Sequence, residues 1–312
     1  EAVKRHFREM DVDIQATPFT AAGVGDMSGD VFGNAMMLSP ALKLVAAFDH
    51  RDIFIDPDPD PARTLAERQR LFDLPRSSWQ DFDRTAISAG GGVFSRQEKA
   101  IRLSREMRAL LGLSGDTASP PEVIRAILKA PVDLLFFGGI GTFVRGNGES
   151  DATVGDRAND AVRIPAGELR AKVVGEGANL GMTQQARIDY GLAGGRCNSD
   201  AIDNSAGVNT SDVEVNIKIA LAAAIRAGKL DLKRRNRLLA AMTGEIAALV
   251  LRNNYLQPLA ISVSVRNGAD ELGHAQRMMT ELEARGLLDR AVEVLPDDAA
   301  IDRRRADGRT LT

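Results

Sequence analysis

The stretch Phe19-Thr-Ala-Ala-Gly-Val-Gly-Asp-Met-Ser-Gly-Asp-Val-Phe-Gly-Asn34 decides the fold. Apolar residues lead into Gly23-Val24-Gly25, small and acidic residues follow, and an apolar-spaced run resumes at Val31, Phe32, Met36 and Met37. Strand, tight glycine turn and helix start, in that order, are what a dinucleotide-binding βαβ unit requires. Gly23 allows the sharp turn, and Gly25 has no Cβ to keep a pyrophosphate from the backbone. Ser28 or Gly29 stands where a small residue lets the helix lie against its strand. The free N–H groups and dipole of the new helix then face the phosphates.

Outward from that turn, Leu42 to Phe48 reads as a short buried strand ending in Asp49, 24 residues after Gly25. An acid at about 20 residues from the glycines meets the adenosine ribose in such folds. A carboxylate there accepts from a free 2′-OH and repels a 2′-phosphate, which favours NAD over NADP; His50 and Arg51 beside it soften the repulsion. The alternative is that Asp49 only caps its strand. A second strand, Val132 to Phe137, ends in Gly138-Gly139-Ile140-Gly141, which suits a backbone passing close to the cofactor and equally suits a simple turn. A third, Ala171 to Val174, runs into Gly175-Glu-Gly-Ala-Asn179. Asn179, with donors and acceptors, is suited to hold a nicotinamide carboxamide or a ribose.

The remaining pattern fills in around these strands. Pro61 opens a helix through Leu71, and Ser77 to Gly92 reads as an irregular, mobile loop. Gln97 to Leu111 has helical periodicity, Ser119 and Glu122 form a helix-starting box, and Asn147 to Asn159 is a polar insertion. Thr183 opens a helix through Tyr190, Gly195 to Asp200 reads as a short strand, and Asp203 to Asp212 as a polar loop before a long helix. From Leu232 the pattern is all helical, with separate runs at 256–265 and 271–287. Aspartates 52, 56, 58 and 60 alternate with prolines and lack the central Gly and closing Glu of a calcium loop, so no metal is expected.

At 312 residues, with 44% hydrophobic and 27% charged residues, the composition is that of a soluble globular protein. A net charge of −3 and a pI of about 5.8 give no support for nucleic-acid or anionic-membrane partners. No apolar run approaches the roughly 18 residues of a membrane span. The single cysteine, Cys197, excludes an internal disulfide and suits a reducing cytoplasm. The chain starts without Met inside a helical pattern and finishes in a charged tail, Asp297 to Thr312, with no evident core contribution. We therefore expect a fragment of a longer polypeptide, with a Rossmann-like domain over 1–230 and a helical segment over 231–312.

Taken together, GVGDMSGDVFGN (23–34), LVAAFDHRDIFIDPDPDP (44–61), LLFFGGIGT (134–142), KVVGEGANLGMTQQAR (172–187) and DAIDNSAGVNTSDVEVNIK (200–218) resemble the cofactor-binding half of a large-subunit, NAD-specific bacterial glutamate dehydrogenase. The resemblance runs from about residue 1 to 230 and implies a doubly wound α/β fold. It implies that Gly23, Gly25, Ser28 and Gly29 bind the NAD pyrophosphate, with Gly138 and Gly139 nearby. By the same resemblance Asp49 reads the adenosine ribose and Asn179 contacts the nicotinamide side. Asn204 to Ser211 lines the cleft, with Ser211 hydrogen-bonding the side-chain carboxylate of glutamate; Thr210, Ser211 and Asp212 also suit a helix N-cap.

The implied reaction is oxidative deamination of L-glutamate to 2-oxoglutarate and ammonia, with hydride passing to NAD⁺, hydrolysis of the imine, and closure of a partner domain against water. The family's catalytic lysine and aspartate come from an upstream domain; Lys4, Asp11 and Asp13 lack the matching surroundings, so this chain is expected to hold no catalytic residue. A homo-oligomeric parent is implied as well. Asp26 departs from the Asn found after the second glycine in small-subunit relatives; a carboxylate there must point away from phosphate or bond a backbone N–H. The rivals are a dehydrogenase of another amino acid, a dinucleotide-sensing module without chemistry, and an α/β domain with no ligand.

Overall fold

The structure is a computed structural model that describes residues 1–28, 31–139 and 141–311. In chain order its strands are β1 (Phe19–Val24), β2 (Leu42–Phe48), β3 (Asp52–Ile55), β4 (Gly92–Ser95), β5 (Ile101–Arg102), β6 (Thr117–Ala118), β7 (Leu134–Phe137), β8 (Val144–Arg145), β9 (Ile164–Pro165) and β10 (Val173–Glu176). Six of them make one sheet in the order β10-β7-β1-β2-β3-β4. The strands from β10 to β2 run parallel. Their near-continuous buried apolar residues are what a sheet covered on both faces needs. β3 and β4 turn back antiparallel at one edge.

The helices are α1 (Ala2–Arg8), α2 (Val31–Met37), α3 (Pro61–Asp73), α4 (Arg105–Leu111), α5 (Pro120–Leu128), α6 (Asp151–Val154), α7 (Gln184–Leu192), α8 (Asp200–Asp203), α9 (Ser205–Arg226), α10 (Leu232–Asn267), α11 (Leu272–Ala284) and α12 (Asp298–Ala306). On one sheet face, Val123, Ile124 and Ile127 of α5 and Tyr190 of α7 share a core with Ala22, Val45 and Phe137. On the other, Phe7 of α1, Phe32 and Met36 of α2 and Trp79 share a core with Ala21, Leu44 and Phe136. Helices on both faces of a parallel sheet make the doubly wound α/β architecture that the strand pattern predicts. From β1 the chain goes to β2 on one side and later to β7 on the other. The order therefore switches between β1 and β7, and in open α/β sheets the ligand crevice lies at such a point, outside the carboxyl ends of the strands.

Several expectations are corrected. Ser77 to Gly92 is an ordered arrangement of two 3-10 turns (Trp79–Asp81 and Arg84–Ala86), because Trp79 is fully buried and stacks on Phe54 at 4.6 Å. The helix expected from Gln97 is confined to α4: Ser104 caps it by accepting from the Met107 N–H, while Ile101 and Arg102 pair with β6. Gly195 to Asp200 makes a single bridge, Arg196 to Val173, and no strand. Residues 256–265 are not a separate helix but part of α10, which continues through Pro258. The charged tail does contribute to a core, since Ile301 of α12 is fully buried against Leu272 and Met279. The box at Ser119 and Glu122 forms as read, with 2.8 Å and 2.6 Å bonds.

His6 on α1 is nearly buried, and its Nε2 has no hydrogen-bond partner among the described residues. Burial pushes the imidazole down from 6.5 to about 4, over the weaker opposing pull of Glu9. A base depressed in the folded state contributes stability that is complete above its unfolded value and lost as pH falls toward the folded one. Wild type should therefore lose up to about 3 kcal/mol relative to His6→Leu between pH 6.5 and 4, read as the difference of their urea midpoints. Parallel pH curves for the two proteins would refute this.

Candidate functional site

The glycine turn is shaped by close approach. A Cβ on Gly23 would stand under 3.0 Å from the Phe136 carbonyl oxygen on β7, and one on Gly25 would meet the Phe32 side chain. Gly25 also has φ +142°, a backbone conformation that L side chains rarely adopt. Its N–H donates to the Phe48 carbonyl at 2.8 Å and its carbonyl accepts from Trp79 Nε1 at 3.0 Å. The turn is thus pinned to β2 and to the chain's one tryptophan, a link that local sequence does not reveal. Trp79→Phe keeps the stack on Phe54 and strands the buried Gly25 carbonyl, which should cost about 1–3 kcal/mol in chemical denaturation.

Ser28 is exposed; its N–H (2.8 Å) and hydroxyl both bond the Asp26 carboxylate, so Asp26 bonds a backbone N–H as its position demands. Gly29 lies outside the described residues. Within α2, Gly33 also lies close to the turn, where a Cβ would stand 3.2 Å from the Met27 backbone.

Asp49 closes the hairpin from β2 to β3. Its Oδ1 accepts from the Arg51 and Asp52 N–H groups, both at 2.7 Å, so the capping role holds. Its Oδ2 is buried with no hydrogen-bond partner among the described residues. Burial pushes the carboxyl upward against those two backbone bonds. Arg51 Nη2 stands 3.8 Å from that Oδ2 and 3.7 Å from Asp26 Oδ2, so one guanidinium joins the acid of β2 to the glycine turn.

Beyond β7, the Gly138 N–H donates to the Val24 carbonyl at 2.8 Å, and Cβ atoms on Gly138 and Gly139 would crowd Phe32 and Val24 respectively. The polar insertion is a brace for this loop. Asp156 accepts from the Thr142 N–H at 2.8 Å and from Asn159, and buried Arg163 donates to the Thr142 carbonyl at 2.9 Å. Arg163 is itself held by Asp151 and Asp160 at 3.0 and 2.6 Å.

Under the G-E-G-A-N segment, fully buried Glu176 accepts both arms of Arg187, at 2.6 and 3.0 Å, and also the Met182 N–H. Burial pushes Glu176 upward and the Arg187 bond opposes it; two parallel N–H to oxygen bonds are the strong, directional form of an arginine–carboxylate contact. Arg187 also reaches Asp200 at 3.3 Å, and Asp200 accepts from the Leu180 N–H at 2.9 Å. Asp203, pushed by burial up to about 6, accepts from the Glu176 N–H at 2.9 Å and from Asn198. Burial raises the Cys197 thiol to about 12, leaving it a neutral interior group.

Two predicted residues meet directly: Asn204 Nδ2 donates to Asn179 Oδ1 at 2.8 Å. Ser211 does not join them in any bond, and it is not an N-cap. α9 starts at Ser205, and Ser211 is exposed within it. The polar run stays helical because Thr210 and Asn216 bond back to carbonyls one turn earlier, at 2.7 and 2.9 Å. Asn254 of α10 secures the start of α9 through Ser205 Oγ (3.0 Å) and the Ile202 carbonyl (3.1 Å), a contact absent from any local motif. A cavity of about 600 Å³ lies beside this point, lined by Val31, Phe136, Gly177, Asp203, Asn204 and Gly207 among others. Of the predicted site residues described here, only Asn204 lines it.

A glycine turn at the switch point of a parallel sheet, with an acid closing the next strand, defines a Rossmann-like dinucleotide-binding α/β domain. One group fits such a ligand: among the described residues, Asp49 Oδ2 accepts no hydrogen bond. The chain belongs to the family of bacterial NAD-glutamate dehydrogenase catalytic domains, whose model matches residues 1–264. It is 53% identical over its whole length to the NAD-specific glutamate dehydrogenase of Pseudomonas aeruginosa and 54% identical to that of Mycobacterium tuberculosis. It spans 19% and 20% of those two proteins, about a fifth of their length. Among solved structures, the hetero-hexameric glutamate dehydrogenase of Thermus thermophilus (Leu bound form) aligns over 98% of this chain and 51% of its own. That match has 12% identity and a TM-score of 0.39, too distant to argue from.

Proposed function

We propose that this chain is the dinucleotide-binding part of an NAD-dependent glutamate dehydrogenase, which converts L-glutamate to 2-oxoglutarate and ammonia. The observation that carries the reading is the buried Asp49 Oδ2, which accepts no hydrogen bond among the described residues and is joined by the Arg51 ion pairs to the glycine turn at the β1–β7 switch point. That its relatives are NAD-specific glutamate dehydrogenases supports the cofactor and the substrate. In this reading Gly23, Gly25 and Ser28 border the pyrophosphate, Asp49 accepts from the ribose, and Gly138 and Gly139 let the nucleotide approach β7. Asn179, oriented by Asn204, faces the nicotinamide half. Asn204 and Ser211 belong to the substrate side.

Bound NAD⁺ would supply the hydride acceptor. This chain's residues bind and orient, while the proton-handling lysine and aspartate belong to an upstream domain of the same polypeptide. The helical segment 231–312 supports the NAD-binding unit 1–230, through Asn254 on α9 and through Ser262, which accepts from Arg5 at 2.9 Å. A homo-oligomeric parent and a cytoplasmic location complete the proposal. No helix among the described residues is long and apolar enough to cross a membrane.

The test is a titration of the protein with NADH, following nucleotide fluorescence. Saturable binding that Asp49→Ala weakens by about tenfold or more supports the reading, since a lost charge-assisted bond is worth about 1.5–3 kcal/mol. Absence of saturable binding would overturn it.

A further inference from the structure

We propose that Arg51 is a latent 2′-phosphate site, held closed by Asp26 and Asp49 together, and that this three-residue cluster sets the preference for NAD over NADP. The inference rests on the dinucleotide reading above. In dinucleotide folds an acid after the second strand selects the free ribose and a nearby arginine accommodates the phosphorylated one. This chain carries both at once, and it adds a second acid from the glycine turn.

Each carboxylate is fixed by its own turn and has one oxygen to spare. Asp26 Oδ1 holds the Ser28 N–H and hydroxyl, while Asp49 Oδ1 holds the Arg51 and Asp52 N–H groups. Their second oxygens stand 3.7 and 3.8 Å from the same atom, Arg51 Nη2. The acids are nearly buried, whereas the Arg51 side chain is 47% exposed, so the guanidinium is the member free to swing. Arg96 donates to the Asp49 carbonyl at 2.8 Å, from the backbone side.

The charge balance decides the rest. Asp26 and Asp49, with Asp52 behind them, face Arg51 and the half-buried Arg96, so carboxylates outnumber guanidiniums around this edge. A 2′-hydroxyl can donate into the spare Asp49 oxygen once Arg51 moves aside. A 2′-phosphate brings about −1.5 to −2 charge against two acids, with the Arg51 guanidinium already engaged by both. Selection by a repulsive element is how close analogues are told apart. Asp26 and Asp49 are distant in sequence, so only the tertiary structure shows that they share one arginine.

The experiment measures NADH and NADPH affinities by fluorescence titration for wild type, Asp26→Asn, Asp26→Asn/Asp49→Asn, and the last with Arg51→Ala added. Asparagine retains the Oδ1 acceptor on which each turn depends, so the folds are preserved. NADPH affinity should rise about tenfold for each acid neutralised, since like-charge juxtaposition is what disfavours it. Adding Arg51→Ala should abolish the gain for NADPH. Retained NADH binding with no gain for NADPH, or a gain that survives Arg51→Ala, overturns this proposal alone. Failure of wild type to bind NADH overturns it together with the dinucleotide reading.

Discussion

Gly23→Ala should destabilise the protein by about 3 kcal/mol or more and abolish NADH binding at the same time. The added methyl would stand under 3.0 Å from a backbone oxygen of β7 and from the Phe32 ring. A flexible side chain could yield, but the Phe136 carbonyl belongs to a strand held between β1 and β10. The strands must therefore separate, and the crevice at their ends is distorted with them. Gly244→Ala is the matched control. Gly244 lies inside α10 with nothing within 4 Å of a built Cβ, so the same methyl should stabilise by about 0.5–1 kcal/mol. Urea midpoints of the two variants should move in opposite directions. A Gly23→Ala protein within 1 kcal/mol of wild type, on the scale of tolerated core changes, would show that β1 and β7 can part cheaply.

The second large effect concerns Glu176 and Arg187. Arg187→Met removes one partner of a buried pair and should cost about 3–5 kcal/mol near neutral pH, because Glu176 is left charged and uncompensated. With the guanidinium gone, burial alone governs the Glu176 carboxyl and pushes it upward. A raised carboxyl contributes stability that is complete below its unfolded value and lost as pH rises through the folded one. The deficit of Arg187→Met should therefore shrink from pH 7.5 to pH 5. Adding Glu176→Gln to Arg187→Met should restore most of the stability at pH 7.5 while leaving NADH affinity low. The Leu180 N–H would still find Asp200, but Asp200 would have lost the Arg187 arm that steadies it. A double variant with wild-type affinity would show that the pair only fills the interior and does not position the 176–182 loop.

How far the sequence reaches can be judged residue by residue. β1, β2 and the α3 start at Pro61 were legible, because a run of buried apolar residues and a proline at the first helical turn are local signals. The Asp49 turn was legible as a strand cap, and Oδ1 makes the capping bonds while Oδ2 accepts no hydrogen bond among the described residues. α9 was misread at its start, since Asn204 to Asp212 has loop composition. Its polar side chains are satisfied by carbonyls of their own helix, a bookkeeping that composition does not register. Gly33 was passed over for Ser28 and Gly29, because the helix's approach to Met27 depends on an angle that spacing does not encode.

The amino-acid sequence by itself determined which short runs become strands, which glycines interrupt them, and which acid ends β2. These follow from burial and backbone freedom within about 20 residues, the span over which the fingerprint is written. Only the tertiary structure decided which distant groups meet: Trp79 on the Gly25 carbonyl, Asn254 on the start of α9, Arg163 behind the β7 loop, and Arg51 between Asp26 and Asp49. Such pairings arise because the sheet order 10-7-1-2-3-4 brings chain segments together regardless of their separation in sequence. A hydrogen bond depends on distance and angle, and an ion pair on distance and local dielectric, whatever the separation along the chain.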